Sequence, residues 1–284
     1  MGWVACILSG QAGGREPTLL LPRSLRQIVR TQQYPNGDDQ GRAGAEVDEM
    51  TERVGAHELM AMHIDALFTH DARGRLVRVN EPNGKPAPRF FLGRTPDGNM
   101  WRVRHDLGAD VVRELEEACR GERADDALLR PPYGSTVYEE ILARDAPLER
   151  VEAGPAFAFP EALDAAPEAV LVTKENVDIL EPFMTPWLGD VGLCDPFLAI
   201  LHDGQAVSVC GSVRITDRGY EAGVDTHPEF RGRGFAPRVV SAWARAVRAI
   251  DRIPLYSTSW NNTASRAVAA KLGLMRFGTD IHIT

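Results

Sequence analysis

The chain has 284 residues and a formal net charge of −8, with 44% hydrophobic and 25% charged residues. The length suits two domains, or one domain with a large extension, and the composition excludes a chain that is disordered, collagenous or coiled-coil throughout. No apolar run approaches the roughly 18–20 residues of a membrane-spanning helix, and the acidic balance is not that of a nucleic-acid-binding protein.

The N-terminal sequence and the cysteines carry no sign of export or of a metal site. The first charged residue is Arg15, so the basic segment that opens a secretory signal peptide is missing. Cys6, Cys119, Cys194 and Cys210 form no C-x-x-C pair and have no histidine at zinc-site spacing. We therefore predict a cytoplasmic protein with reduced thiols, no metal, and no nucleic-acid or membrane partner, and we leave its oligomeric state open.

The first 49 residues differ in composition from the rest of the chain. They are rich in Gly, Gln and Pro and lack a sustained apolar period, which begins only at Met50. We predict that residues 1–49 form a disordered tail and hypothesise that translation naturally starts later than Met1. Mass spectrometry of the natural N-terminus decides this, because peptides from residues 1–49 would contradict the hypothesis.

Residues 50–165 are predicted to form a small α+β accessory domain. Segments with helical spacing of apolar residues occur here together with short β-type segments and turn signals. In chain order, the predicted elements are a helix within 51–68, strands at 75–79, 89–93 and 100–104, a helix capped by Asp110, and a helix opened by the capping box Thr136-Val-Tyr-Glu139.

A second domain is predicted at 166–284. The segment before it, residues 155–166, is dense in Pro and Ala and predicts a linker or an extended crossing segment. The elements predicted around and after this boundary are strands at 169–172, 197–202, 206–215, 220–226, 255–259 and near 275–283, helical residues from 175 to 188, and helices at 234–250 and 263–272.

The most informative segment joins the predicted strand ending at Thr226 to the predicted helix at 234–250. Gly232 and Gly234 let the backbone turn its N–H groups toward one point, and the helix start adds a partial positive charge. Arg231 and Arg233 add formal charge, so this loop is suited to an anion. It is neither a GxxxxGK[ST] phosphate loop nor a GxGxxG dinucleotide loop.

Two motifs together resemble a known family. Arg231-Gly-Arg-Gly234-Phe-Ala236 resembles the Arg/Gln-x-x-Gly-x-Gly/Ala signature of the GNAT superfamily of acyl-CoA-dependent N-acetyltransferases. Asn262-Thr-Ala-Ser265, followed by Lys271-Leu-Gly273-Leu274, is similar to that family's closing segment. The resemblance covers about residues 169–284 and implies an α+β fold with a mixed, mostly antiparallel sheet flanked by helices.

The resemblance also implies a ligand and a reaction. Acetyl-CoA would be the acyl donor, and an amine of a small molecule or peptide would be the acceptor in a direct transfer. The pyrophosphate of the coenzyme would lie on the backbone of the loop residues Arg231, Gly232, Arg233, Gly234, Phe235 and Ala236. The pantetheine arm would lie between strands 220–226 and 255–259, close to Asn262 and Ser265, and a backbone N–H near Val224 to Thr226 would bind the acyl carbonyl.

Acyl transfer to an amine needs a base, and the strand before the loop offers two carboxylates. Glu221 and Asp225 are four residues apart on this strand, so they are expected on one face and roughly 13 Å from each other. Asp225 is nearer the loop, and Glu221 would act through water. The alternative is that both are solvent-facing strand carboxylates without a catalytic role.

Acyl transfer also needs an acid that protonates the leaving thiolate. The family often places a tyrosine seven residues after the motif asparagine, and here that position is Ala269. Tyr256 and Ser257 on the neighbouring strand are the candidate replacements, and protonation of the thiolate by water is a further alternative. A tyrosine in a buried strand is commonly structural. Two alternatives stay open: a non-catalytic acyl-CoA-binding or sensory protein, and a first domain that is a degenerate copy of the second.

Overall fold

The computed structural model describes residues 54–123, 132 and 134–284. The predicted tail and the proposed later start lie outside these residues. The helices and strands of the described part are α1 (Ala56–Leu67), β1 (Phe68–His70), β2 (Leu76–Val79), β3 (Phe90–Thr95), β4 (Gly98–Val103), α2 (Ala109–Gly121), α3 (Ser135–Asp145), β5 (Val151–Ala158), β6 (Ala169–Leu171), β7 (Phe197–His202), β8 (Gln205–Ile215), β9 (Gly219–Thr226), α4 (Phe235–Arg248), β10 (Ile253–Ser257), α5 (Thr263–Lys271) and β11 (Met275–Ile283).

A nine-stranded sheet organises the fold, in the order β4-β3-β11-β5-β10-β9-β8-β7-β6. Every neighbouring pair in it is antiparallel except β9 and β10, which are parallel. Strands β1 and β2 form a separate hairpin. The predicted α+β class, with a mixed and mostly antiparallel sheet flanked by helices, is confirmed.

The first part of the predicted linker is instead part of strand β5. Residues up to Ala158 are extended and pair with β10 on one side and β11 on the other. A proline-rich segment can form a strand when its other residues supply the ladder bonds, and Pro155 occupies one register position opposite Thr279. The division at residue 165 stays a prediction, but strands from both sides of it pair in one sheet.

Three local predictions were wrong. The segment predicted as helical from 175 to 188 contains two short 3₁₀ turns, Val177–Leu180 and Thr185–Asp190. Pro182 and Pro186 lack the N–H groups that a continuous α-helix needs. Glycines, not the predicted capping side chains, precede α2 and α3: Asp110 lies in the first turn of α2 and Thr136 lies within α3.

Helices cover both faces of the sheet. On one face, α4 and α5 pack on β8, β9 and β10, with Trp243 of α4 fully buried and its indole Nε1 donating to Ser212 Oγ at 3.0 Å. On the other face, α1 packs against β9, β11 and β3. Apolar residues of α1 such as Met60 and Ile64 are 0% exposed, so this helix is part of the main core.

Strand β5 also comes unusually close to the end of β10. A Cβ atom at Gly154 would lie 1.7 Å from the carbonyl oxygen of Thr258. Only glycine allows this approach, because the obstructing atom belongs to the backbone. Gly154 therefore fixes how β5 sits between β10 and β11.

Within the described residues, no helix is long and apolar enough to cross a bilayer.

Candidate active site

The two parallel strands separate at the centre of the sheet. β9 and β10 are in register from Gly219 to Glu221, opposite Ile253 to Leu255, and no register pair continues beyond this point in the described strands. The next residues of β9 therefore face a gap where a neighbouring strand would normally lie. A gap of this kind exposes backbone polar groups that a ligand can use.

The hydrogen-bond alternation of β9 shows which groups face the gap. The N–H of His227 donates to Val207 O of the β8 side at 3.0 Å, so every second residue before it also bonds to β8. The N–H groups of Val224 and Thr226 consequently point toward the gap. Asp225 Oδ1 accepts the Thr226 N–H at 2.7 Å, so the Val224 N–H is the one left facing the gap.

A cleft of about 460 Å³ extends from this gap along the loop and α5. Nearly all residues that the resemblance assigns to the acyl donor line it. These are Val224, Thr226, Arg231, Gly232, Gly234, Phe235, Ala236, Asn262 and Ser265, together with Asp225. Arg233 instead places its guanidinium over the ring of Phe230, 5.1 Å from its centre.

The glycine loop has the backbone conformation that its sequence predicts. Gly232 and Gly234 are left-handed, with φ of 78° and 82°, and a Cβ at either would meet no atom within 4 Å. Gly234 directly precedes α4, whose first turn contains no acidic residue. The positive end of the helix therefore faces the cleft, which suits an anion.

Arg231 connects the loop to the end of β9. Its Nε donates to Thr226 O at 3.0 Å, and an NH2 group lies 4.0 Å from Asp225 Oδ1. Most of its side chain stays exposed, at 63%. The guanidinium therefore holds the strand end and remains accessible to a ligand.

The start of α5 forms the opposite wall of the cleft. Asn262 Oδ1 accepts the N–H of Ser265 at 3.0 Å and so caps the helix. Ser265 Oγ lies 2.7 Å from the hydroxyl of Tyr256, which is buried. Burial raises the pKa of Tyr256 well above its ordinary value, which keeps the hydroxyl protonated.

The two candidate carboxylates of β9 have different surroundings. Asp225 is partly exposed and lines the cleft, and its Oδ1 is engaged by the Thr226 N–H. Glu221 is 2% exposed and lies at the last register position before the strands separate. Ser257 Oγ of β10 donates to Glu221 Oε2 at 3.3 Å.

Glu221 belongs to a buried charge cluster, formed with His63, Asp280 and His282, that the sequence analysis did not find. His63 Nδ1 of α1 donates to Glu221 Oε1 at 2.5 Å, and its Nε2 donates to Asp280 Oδ2 at 3.0 Å. His282 Nε2 lies 2.9 Å from Asp280 Oδ1. All four residues are at most 5% exposed. The cluster thus links α1 to β9 and β11.

The electrostatics of the buried charge cluster favour its charged forms. Burial alone would lower the pKa of His63, but the carboxylates of Glu221 and Asp280 outweigh it and raise this pKa to about 10. Burial would raise the pKa of Asp280, but His282 and His63 outweigh it and lower that pKa. Polar residues within the apolar runs of α1 and β11 were the only sequence signal for this cluster. Among the residues described, no group of three or more His, Cys, Asp or Glu side chains is placed to hold a metal ion.

Comparison with known proteins agrees with the motif reading. Residues 198–278 match the family model described as GNAT acetyltransferase. No curated protein sequence matches the chain significantly. The matched segment runs from β7 into β11 and contains the gap, the glycine loop and the start of α5.

Solved structures similar to this chain include three proteins of the same family. A GNAT-family acetyltransferase from Novosphingobium aromaticivorans is 19% identical, with a TM-score of 0.41, and the match covers 48% of this chain and 65% of that one. A GNAT acetyltransferase from Colwellia psychrerythraea is 12% identical (TM-score 0.43; 71% and 82% covered). A GCN5-related N-acetyltransferase-like protein from Streptococcus suis is 16% identical (TM-score 0.40; 85% and 100% covered).

This chain thus spans just under two thirds of the first of these proteins. The segment that holds the cleft carries both family motifs and the family-model match. Residues 198–278 are therefore similar to the GNAT superfamily of acetyltransferases.

Proposed function

We propose that the protein is an N-acyltransferase that moves an acetyl or other acyl group from acyl-CoA directly to a primary amine of a small molecule or peptide. The observation that carries this proposal is the cleft, which joins an unpaired stretch of β9 to a left-handed glycine loop at the start of α4. The family assignment supports acetyltransferase chemistry, and the acceptor is part of the proposal. A cytoplasmic location stays a prediction.

The donor would be bound mainly by backbone groups. The open left-handed glycines and the start of α4 suit the pyrophosphate of CoA, and Arg231 and Arg233 lie on the same loop. The pantetheine arm would lie in the gap, within reach of the side-chain amide of Asn262. The Val224 N–H would donate to the thioester carbonyl and stabilise the oxyanion that forms there.

The amine must lose a proton before it attacks the thioester. We assign this proton to Glu221, reached through water, because Glu221 lies where β9 and β10 separate and its partners hold it in place. Asp225, which is partly exposed and closer to the loop, would orient the cationic acceptor. The competing assignment gives Asp225 the proton directly.

The leaving thiolate needs a proton or a hydrogen bond. The Tyr256 and Ser265 hydroxyls are bonded to each other, and Ser265 lines the cleft. The raised pKa of Tyr256 makes it a weak proton donor to a thiolate, so the pair would mainly supply a hydrogen bond. We therefore expect Tyr256→Phe to lower turnover by less than about tenfold.

Isothermal titration calorimetry with acetyl-CoA and with CoA tests donor binding. Gly234→Trp fills the space in front of the loop and should abolish binding. Gly74→Trp is the matched control, because Gly74 is also left-handed with open space but lies in the β1–β2 turn. A wild-type protein that binds neither compound would refute the proposal.

Thiol release from acetyl-CoA with a panel of amines tests the chemistry and the choice of base. Glu221→Gln should lower kcat by about 10²- to 10⁴-fold, the usual contribution of a general base. Asp225→Asn should mainly raise the KM of the amine. A larger fall in kcat for Asp225→Asn than for Glu221→Gln would move the base to Asp225.

The second candidate function is a non-catalytic acyl-CoA-binding or sensory protein. The observation that favours it is Ala269, which occupies the position of the family's frequent tyrosine and lies buried on α5. Binding of acetyl-CoA without thiol release, across the amine panel and in water, supports this candidate.

A further inference from the structure

We infer that His63 is a positioning residue for acyl transfer, which holds the Glu221 carboxylate in place beside the gap between β9 and β10. The inference rests on the proposed function. It also gives α1 a role, since α1 lies outside the segment 198–278 that the family model matches. The argument depends on hydrogen bonding, charge and the place of Glu221 in the sheet.

The hydrogen bonds of His63 require a particular protonation state. Both ring nitrogens lie within 3.0 Å of a carboxylate oxygen, Nδ1 near Glu221 and Nε2 near Asp280. A neutral imidazole has one N–H and could satisfy only one ionised carboxylate. An imidazolium donates to both, so His63 bridges two carboxylates as a cation.

Apolar groups surround this bridge. The His63 ring is 0% exposed, and the rings of Phe91 and Phe277 lie 6.4 and 6.2 Å away between centres. Water therefore cannot take over the hydrogen bonds of the imidazolium. A buried charge without compensating partners is costly, so the His63 cation depends on both carboxylates.

Charged groups from three elements meet at His63. Facing His63 are Glu221 from β9 and Asp280 from β11, and His282 Nε2 lies 2.9 Å from the other oxygen of Asp280. The two carboxylates stabilise the His63 imidazolium between them, and this imidazolium contacts Glu221 directly.

The place of Glu221 gives a substrate proton a route. Oε1 is held by His63 on the α1 side, and Oε2 accepts from Ser257 of β10, across the point where the strands part. His63 and Ser257 thus hold both oxygens of the carboxylate, and Oε2 lies on the β10 side, beside the point where the strands part. A general base needs this fixed position, because small misplacements of a catalytic group lower the rate strongly.

The proposed step balances without a further reactant. One N–H bond of the substrate ammonium breaks, and its proton passes through water to Glu221 Oε2. The amine nitrogen bonds to the thioester carbon, the C–S bond breaks, and a second N–H proton ends on the CoA sulfur. Glu221 then returns its proton to solvent, and His63 keeps both of its protons throughout.

The test compares His63→Gln, Glu221→Gln and the double variant with wild type, using thiol release from acetyl-CoA with and without amine. His57→Gln is the matched control, because His57 lies on the exposed side of the same helix. His63→Gln should lower kcat by about ten- to a hundredfold and leave the KM of acetyl-CoA unchanged. The double variant should be no slower than Glu221→Gln alone, because His63 acts through Glu221.

The pH–rate profile separates positioning from a merely structural role. His63→Gln removes the cation that favours ionised Glu221, so the acid limb should move to higher pH. Asp280→Asn removes a neighbouring negative charge and should move the acid limb to lower pH. Asp280→Asn also serves as the second variant if His63→Gln fails to fold, which circular dichroism shows.

Each outcome decides the inference. A folded His63→Gln variant with wild-type kcat and an unshifted pH–rate profile overturns the inference. A double variant in which the kcat losses of the two single variants multiply also overturns it. If His63→Gln does not fold, an unshifted pH–rate profile in Asp280→Asn overturns it. These results leave the acyltransferase proposal intact. Wild-type protein that binds acetyl-CoA but releases no thiol overturns the proposed function and this inference together.

Discussion

The free energy of unfolding should fall by about 2 kcal/mol through His63 alone when the pH rises from 6.5 to 8.5. The pKa of His63 is 6.5 in an unfolded chain and about 10 in the folded protein, where Glu221 and Asp280 outweigh the effect of burial. A raised folded-state pKa contributes stability that is complete below pH 6.5 and is lost as the pH rises toward 10. Each pH unit within that window removes at most about 1.4 kcal/mol.

The pH window is chosen so that other groups contribute little. The lowered pKa of His70 acts mainly below pH 6.5, where the unfolded state takes up its proton. The thiols of the buried Cys119 and Cys210 and of the half-buried Cys194 have raised pKa values, because burial disfavours the thiolate, and they act mainly above pH 8.5. Between these limits, His63 should dominate the slope.

Urea denaturation at pH 6.5, 7.5 and 8.5 measures this slope. The wild-type free energy of unfolding should fall with pH relative to that of His63→Gln, while His57→Gln follows wild type. Parallel pH dependences for wild type and His63→Gln would show that His63 is not a bridging cation. They would then refute the physical basis of the positioning role.

Two further predictions concern packing, and urea denaturation measures both. Gly154→Ala should destabilise the protein by about 1–3 kcal/mol, because the new methyl group meets the Thr258 carbonyl and β5 must shift. Gly108→Ala is the control and should change stability little, because the space around Gly108 is open. Equal effects of the two substitutions would contradict the close approach of β5 to Thr258. Trp243→Ala should lower the free energy of unfolding by about 3–5 kcal/mol, because the substitution leaves a cavity in the core. Val137→Ala, on the exposed side of α3, should leave the stability near that of wild type. Similar losses of stability for both variants would contradict the core position of Trp243.

The segment from β9 through the loop to α4 could be predicted from sequence because its signals are local. Gly232 and Gly234 adopt the left-handed conformation that their sequence suggests, and Val239, Val240 and Trp243 form one buried face of α4. Backbone conformation and helix periodicity depend on neighbouring residues. The elements that form the cleft were therefore predictable before the packing was known.

The buried charge cluster was not predictable in the same way. His63 lies 158 residues from Glu221 and 217 from Asp280, so no local sequence pattern connects the three residues. Only the packing of α1 across β9 and β11 brings them together. Strand β5 was missed for a related reason, since Pro155 and the prolines that follow the strand suggested a linker, while the partners of β5 lie far along the chain.

The position of β5 has a consequence for how the chain is made. β5 ends at Ala158, and its two neighbours in the sheet begin at Ile253 and Met275. A ribosome working at about 5–20 residues per second needs roughly 5–20 s after β5 to produce the first of them. During that time β5 presents two unpaired edges, so we expect nascent chains halted before residue 253 to depend on chaperones, whereas completed chains do not.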